Sequence, residues 1–196
     1  MDVITHYNML IDENNDSFRD APPVREYMNK WDGKVFFESL KLNETKSVLE
    51  IGIGTGRLAI KVAPYCMRLT GIDISPKTIE RAKENLKKHN NINYICDDFN
   101  TYKFNEKFDV IYSSLTMMHF KDKKYVISKV DALLKIGGIF CLSIDKNQSK
   151  YIDMGTRKIE IYPDTLDNII SIVNGSNMTI VNVVETDNAY IIVSNK

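Results

Sequence analysis

Val48-Leu49-Glu50-Ile51-Gly52-Ile53-Gly54-Thr55-Gly56 is a short apolar run that breaks into three glycines on alternate positions. An apolar stretch of this length suits a buried strand better than a helix. Glycine at every second place lets the backbone turn tightly and approach a ligand with no Cβ in the way. Arg57-Leu58-Ala59-Ile60-Lys61-Val62-Ala63 then reads as helical as far as Pro64, which a helix interior does not tolerate. Strand, glycine turn and helix together form a nucleotide-binding unit at the edge of a parallel sheet.

The chain keeps step on the C-terminal side. Arg68-Leu69-Thr70-Gly71-Ile72-Asp73 reads as a second strand that ends in an acid 17 residues after Gly56. A carboxylate there accepts both hydrogen bonds of a ribose diol. Ser75 is an N-cap with Pro76 at the first helical position, and Ile74 and Ile79 are spaced as a hydrophobic staple. Ile79, Ala82 and Leu86 keep helical spacing up to a stop at His89-Asn90-Asn91. A third strand is predicted over 92–96, closed by Asp97-Asp98-Phe99, and a fourth over 108–113, with Asp109 near its start. Asp122 caps a helix whose stripe is Val126, Ile127, Val130, Leu133 and Leu134, and Gly137-Gly138 reads as its left-handed C-cap. The continuously apolar 139–144 segment predicts a fifth strand covered on both faces. A short helix over 163–173 and two β-rich runs, 178–184 and 189–193, complete the chain, and the polar link 185–188 permits an antiparallel hairpin.

The glycine motif is not the dinucleotide one. That fingerprint needs its third small residue at position 57, where this chain has Arg57, and Glu50 is foreign to it. Instead E-x-G-x-G-x-G resembles the first motif of the class I S-adenosylmethionine-dependent methyltransferases of the small-molecule type. The resemblance covers roughly residues 40 to 196. It implies an α/β, Rossmann-like, seven-stranded, mostly parallel sheet with helices on both faces and a C-terminal antiparallel hairpin. It implies S-adenosyl-L-methionine as cofactor, with S-adenosyl-L-homocysteine as product. Gly52, Gly54 and Gly56 would pass under the amino acid part of that cofactor, and Glu50 would order the loop and the methionine ammonium. Asp73 would meet the ribose, Asp98 (in preference to Asp97) and Phe99 would bracket the adenine, and Ile74 and Ser113 would be further cofactor contacts.

Length and composition set bounds. The 196 residues suit one domain, 1–196, divided into a helical lid segment over 1–40 and a Rossmann-like core over 41–196. No repeat, low-complexity stretch, transmembrane run or signal-like start is present. Cys66, Cys96 and Cys141 have no metal-site spacing and read as reduced core thiols of a cytoplasmic protein, with no metal expected. Lys plus Arg and Asp plus Glu are both 26, so no bulk positive field favours nucleic acid. The fourth strand ends Ser113-Ser114-Leu115-Thr116. Methyltransferases acting on base amines show an acid or Asn, two prolines and an aromatic residue there. A small-molecule methyl acceptor follows, with no membrane partner, and the oligomeric state is left open.

Two regions and one histidine are candidates for the acceptor site. In the resembling family the N-terminal segment covers the cofactor, and Tyr7 and Trp31 either face the sulfonium, where a desolvated cation over a ring gains roughly 2 kcal/mol, or glue the segment to the sheet; Phe36 and Phe37 read as glue. The 145–162 connection is longer than most and carries Tyr151, Met154, Arg157 and Tyr162. Arg157 either pairs with an anionic group of the acceptor or belongs to an exposed extra strand. His119, just past the fourth strand, is either a general base or a packing residue. The implied reaction is direct in-line methyl transfer, in which alignment supplies on the order of 7–11 kcal/mol and His119 is the one catalytic candidate. An inactive S-adenosylmethionine-binding sensor or partner subunit is the alternative. An NAD-dependent oxidoreductase is opposed by Arg57 and Glu50.

Overall fold

All five residues of β1 (Ser47–Ile51) are buried, and their alternation divides the molecule. Leu49 and Ile51 point into one apolar cluster, Val48 into another on the opposite face. The computed structural model, which describes residues 1–196, builds outward from this strand. β2 (Arg68–Asp73) and β4 (Phe108–Ser114) flank it in parallel, with Leu49 opposite Thr70 on one side and Ile111 on the other. β3 (Ile92–Cys96) lies outside β2, and β5 (Leu134–Asp145) outside β4. β9 (Ala189–Asn195) runs antiparallel to β5, and β8 (Thr179–Glu185) pairs antiparallel with β9 at the edge. The seven-stranded order is β3-β2-β1-β4-β5-β9-β8, the mostly parallel sheet with a C-terminal hairpin that the sequence implied. Two further strands, β6 (Tyr151–Asp153) and β7 (Lys158–Glu160), form a separate hairpin inside the long 145–162 connection.

Helices cover both faces. α6 (Lys123–Leu133) and α7 (Leu166–Asn174) put Val126, Val130, Ile169 and Val173 into the first cluster. α3 (Gly33–Ser39), α4 (Ala59–Val62) and α5 (Pro76–Asn85) put Phe36, Val62 and Ile79 into the second. The helix starts follow local chemistry: Ser75 accepts from the Thr78 amide and Asp122 from the Tyr125 amide. α1 (Val3–Asp12) and α2 (Pro22–Met28) precede α3. α1 lies beside α5, where Asn8 Oδ1 accepts from Ser75 Oγ at 2.9 Å and Asp12 pairs with Lys77 at 2.6 Å.

Some expectations change. Gly137-Gly138 is not the cap of α6, because the chain turns extended at Leu134 and enters β5 directly. Gly137 (φ +77°) instead serves an irregularity where the register slips between the pairs Phe108–Leu134 and Val110–Ile139. α7 starts at Leu166 under a Thr165 cap, past the predicted Pro163. Cys66 and Cys141 are buried, but Cys96 is exposed at the end of β3, which lies at a sheet edge, so it is not a core thiol. No helix is long and apolar enough to cross a membrane.

Candidate active site

The order of the central strands reverses between β1 and β4, and the carboxyl ends of parallel strands leave a crevice at such a switch point. A cavity of about 290 Å³ occupies it, walled by the β1 turn, the ends of β2 to β4 and α1. The three motif glycines have positive φ, +78° at Gly52, +56° at Gly54 and +98° at Gly56, but they do different work. A Cβ on Gly52 would sit 2.1 Å from Thr116 Oγ1, and one on Gly56 2.7 Å from Leu86 Cδ1. Both are packing constraints, and Gly56 lies outside the cavity wall. A Cβ on Gly54 would meet nothing within 4 Å; it would protrude where backbone now leaves open space at the cavity wall.

Asp73 ties this turn to the next. Its Oδ2 accepts from the Gly54 amide and its Oδ1 from the Ser75 amide, each at 3.0 Å. Burial raises its carboxyl from the ordinary value, against those hydrogen bonds. Each oxygen keeps a further lone pair. Asp97, Asp98, Phe99 and Asn100 line the far side. Asp98 accepts from the Asn100 amide at 2.8 Å, and Phe99 packs on Phe104 and Phe120 at 6.0 and 6.1 Å between ring centroids. Lys129 holds the loop by donating to the carbonyls of Phe99, Asn100 and Tyr102 at 2.5, 3.0 and 2.7 Å.

Glu50 is 3% exposed and accepts from the Tyr112 hydroxyl at 2.7 Å. Desolvation pushes its carboxyl up to about 8, against that hydrogen bond and the nearby Arg57 charge. Arg57 lines the cavity with its guanidinium held by buried Asp32, Nη2 to Oδ2 at 2.6 Å and Nη1 to Oδ1 at 3.1 Å. Asp32 also accepts from Ser114 Oγ at 3.0 Å. Locally Asp32 reads only as the N-cap of α3, accepting from the Gly33 amide at 2.8 Å; the partners that bring it to the cavity are 25 and 82 residues away.

Ser113, expected at the site, is turned away from it. It shares the face of Ile111, and its Oγ donates to the Ile51 carbonyl at 3.1 Å; Ser114, one residue on, faces the cavity. Tyr7 and His119 meet in the cavity wall, Tyr7 Oη to His119 Nε2 at 2.8 Å. Desolvation, with the charges of His6 and Lys123, lowers His119 to about 4, which leaves it neutral and weakly basic at pH 7. Burial raises the Tyr7 hydroxyl.

A second cavity of about 420 Å³ adjoins the first, and Tyr7, Met28 and Leu115 line both. Trp31 faces this one and not the glycine turn, because its Nε1 donates to Asp145 Oδ2 at 3.0 Å. Tyr151 lines it as well. Arg157 and Tyr162 line neither cavity. Arg157 is bound by Glu13 of the N-terminal segment at 2.5 and 2.6 Å, which ties the β6–β7 hairpin to the end of α1. Tyr162 donates its hydroxyl to Glu160 at 3.2 Å and its carbonyl accepts from Lys123 at 2.8 Å. Leu115 is a non-glycine residue at φ +57°, a sparsely populated conformation in the wall that the two cavities share.

Residues 48–138 match the family described as a methyltransferase domain. Nodulation protein S of Sinorhizobium fredii (strain NBRC 101917 / NGR234) is 31% identical over 98 residues, 50% of this chain and 45% of that protein. A ubiquinone biosynthesis O-methyltransferase of Coxiella burnetii (strain Dugway 5J108-111) is 34% identical over 110 residues, 55% of this chain and 47% of that protein. The chain spans less than half the length of these curated relatives. Among solved structures, magnesium protoporphyrin IX methyltransferase from Synechocystis PCC 6803 with bound SAH superposes with a TM-score of 0.78 at 17% identity, covering 99% of this chain and 97% of that one. The fold is therefore the Rossmann-like methyltransferase fold.

Proposed function

We propose that this chain, a class I methyltransferase in fold and matched to the methyltransferase-domain family over residues 48–138, transfers a methyl group from S-adenosylmethionine to a small-molecule acceptor. The observation that carries the reading is the switch-point cavity, where Gly54 leaves open backbone and Asp73 is bonded into the same turn. In this reading Gly52 to Gly54 give the amino acid part of the cofactor close backbone approach. Asp73 and Ile74 hold the ribose, and Asp98 and Phe99 take the adenine. Glu50, with Arg57 nearby, takes the polar end. The bound cofactor supplies an already activated methyl on its sulfonium, open to in-line displacement by the acceptor's nucleophile.

The chain's own task is alignment. Tyr7 lines both cavities, so it is the aromatic residue placed to meet a sulfonium. His119, neutral at pH 7, positions Tyr7 through the hydrogen bond they share and is a poor general base. An adjoining cavity of acceptor size favours transfer over a sensor that only binds the cofactor. The Arg57–Asp32 pair occupies the position of the third dinucleotide glycine, against NAD. Equal numbers of acidic and basic residues and three unpaired cysteines support a small acceptor in a cytoplasmic setting.

The test is a thermal-shift series with S-adenosylhomocysteine, S-adenosylmethionine and NAD. At about 100 times Kd a ligand adds roughly 2.7 kcal/mol, which for a chain of this size raises Tm by about 5–10 °C. The expected result is a shift with the two adenosyl ligands alone. A shift with NAD alone, or with none of the three, overturns the reading.

A further inference from the structure

The second cavity bears on the chemistry of the acceptor, and the inference rests on the first cavity holding the sulfonium cofactor. At about 420 Å³ it falls within the roughly 300–1,000 Å³ of small-molecule sites. Its wall contains three carboxylates, Asp145, Asp153 and Asp164, and no lysine or arginine. An acidic cluster alone would say little, since carboxylates are often neutralised by neighbours. Here the neutralisation is incomplete at one identifiable atom.

Asp164 is 5% exposed. Its Oδ2 pairs with Lys123 at 3.1 Å, while its Oδ1 has no hydrogen-bond partner. Lys123 has nothing left to offer a ligand: its other two protons go to the carbonyls of Met117 and Tyr162 at 2.5 and 2.8 Å. A buried acceptor left without a donor is costly, and few native groups stay so without a reason. A ligand that brings an N–H to this oxygen supplies one. Asp145 already accepts from Trp31 Nε1 at 3.0 Å and from the Asn147 amide at 2.7 Å, and each of its oxygens keeps a lone pair. Asp153 is paired with Lys158 at 2.8 Å, both side chains about half exposed.

The rest of the wall is mostly apolar and aromatic, with Ser143 and Asn147 as its uncharged polar residues. Met28, Met117, Ile144 and Ile161 form an adaptable surface. Tyr7, Trp31 and Tyr151 add rings, whose faces attract cations. A carboxylate or phosphate on the acceptor would meet like charge with no cation in the wall to pair with. We infer that the acceptor carries a basic amine on an apolar body, with the ammonium recognised by Asp164 and Asp145.

Binding to the protein saturated with S-adenosylhomocysteine tests this, with calorimetric titrations of three probes of similar shape: phenethylamine, 2-phenylethanol and phenylacetate. The amine is expected to bind at least tenfold more tightly than the alcohol, and phenylacetate more weakly than either. Asp164→Asn and Asp145→Asn should each reduce the preference for the amine at least fivefold and leave the affinity for S-adenosylhomocysteine unchanged. That affinity also reports folding, so Asp145→Asn carries the test if Asp164→Asn loses it through the unpaired Lys123. Equal binding of amine and alcohol, tighter binding of phenylacetate, a preference that survives in the folded variants, or no binding of any probe overturns the inference. Failure of the wild-type protein to bind S-adenosylhomocysteine overturns the cofactor reading itself, and the acceptor assignment with it.

Discussion

Replacing Glu50 by Gln should stabilise this protein at alkaline pH and leave it nearly unchanged at pH 5. Burial moves the Glu50 carboxyl from an ordinary value of 4.5 to about 8. Between those values the folded protein retains a proton that the unfolded chain has released. The unfolded state then binds fewer protons, so stability falls as pH rises through the window. Each pH unit costs about 1.36 kcal/mol, which comes to about 5 kcal/mol by pH 8, less whatever relaxation of the site recovers. Gln has no proton to lose, and its amide oxygen still accepts from the Tyr112 hydroxyl that bonds Glu50 at 2.7 Å. The variant's advantage should therefore grow from near zero at pH 5 to a plateau above pH 8. Urea denaturation without ligand at half-unit pH steps measures it. With a slope of about 2 kcal/mol/M the largest difference in midpoint is about 2.5 M. Parallel profiles for the two proteins across pH 5 to 8 would show that Glu50 is charged in the native state and would refute the argument.

Two further predictions concern the same site. Gly54→Ala meets no atom within 4 Å but forces alanine to φ +56°, so it should cost about 1 kcal/mol of stability and weaken S-adenosylhomocysteine binding at least tenfold. Gly52→Ala drives a Cβ to 2.1 Å from Thr116 Oγ1 and should cost about 3 kcal/mol; equal urea midpoints for the two variants would contradict the division of roles. Arg157→Ala removes the tie between the β6–β7 hairpin and Glu13 at the end of α1. Amide exchange over residues 3–12 should then quicken on the order of tenfold, with faster release of S-adenosylhomocysteine, and unchanged exchange there would show that Arg157 does not hold α1 down.

Most of the sheet and most of the residues around the switch-point cavity were legible in the sequence because their signals are local. The apolar run, glycine turn and terminal acid of β1 and β2 each follow from a few consecutive residues, and Ser75 and Asp122 cap helices within three residues of themselves. Where the sequence reading missed, a local signal met a longer-range demand. Gly137 had the form of a helix cap, but pairing of Leu134 with Phe108 drew the chain into β5 first. Ser113 and Ser114 are chemically identical neighbours, and the pleat alone turns one to the Ile51 carbonyl and the other to Asp32.

The residues themselves determined the order of elements, the turn that a nucleotide cofactor needs and the acid that ends β2, since each depends on backbone preference and periodicity within one segment. Only the tertiary structure decided what surrounds them. It placed Asp32 on Arg57 and Tyr7 on His119, at separations of 25 and 112 residues. It spent Arg157 on Glu13 and brought Trp31, Asp145, Tyr151 and Asp164 around one cavity. The physical reason is that charge pairing, desolvation and cavity shape depend on distances in space, and those arise only when separate elements pack together.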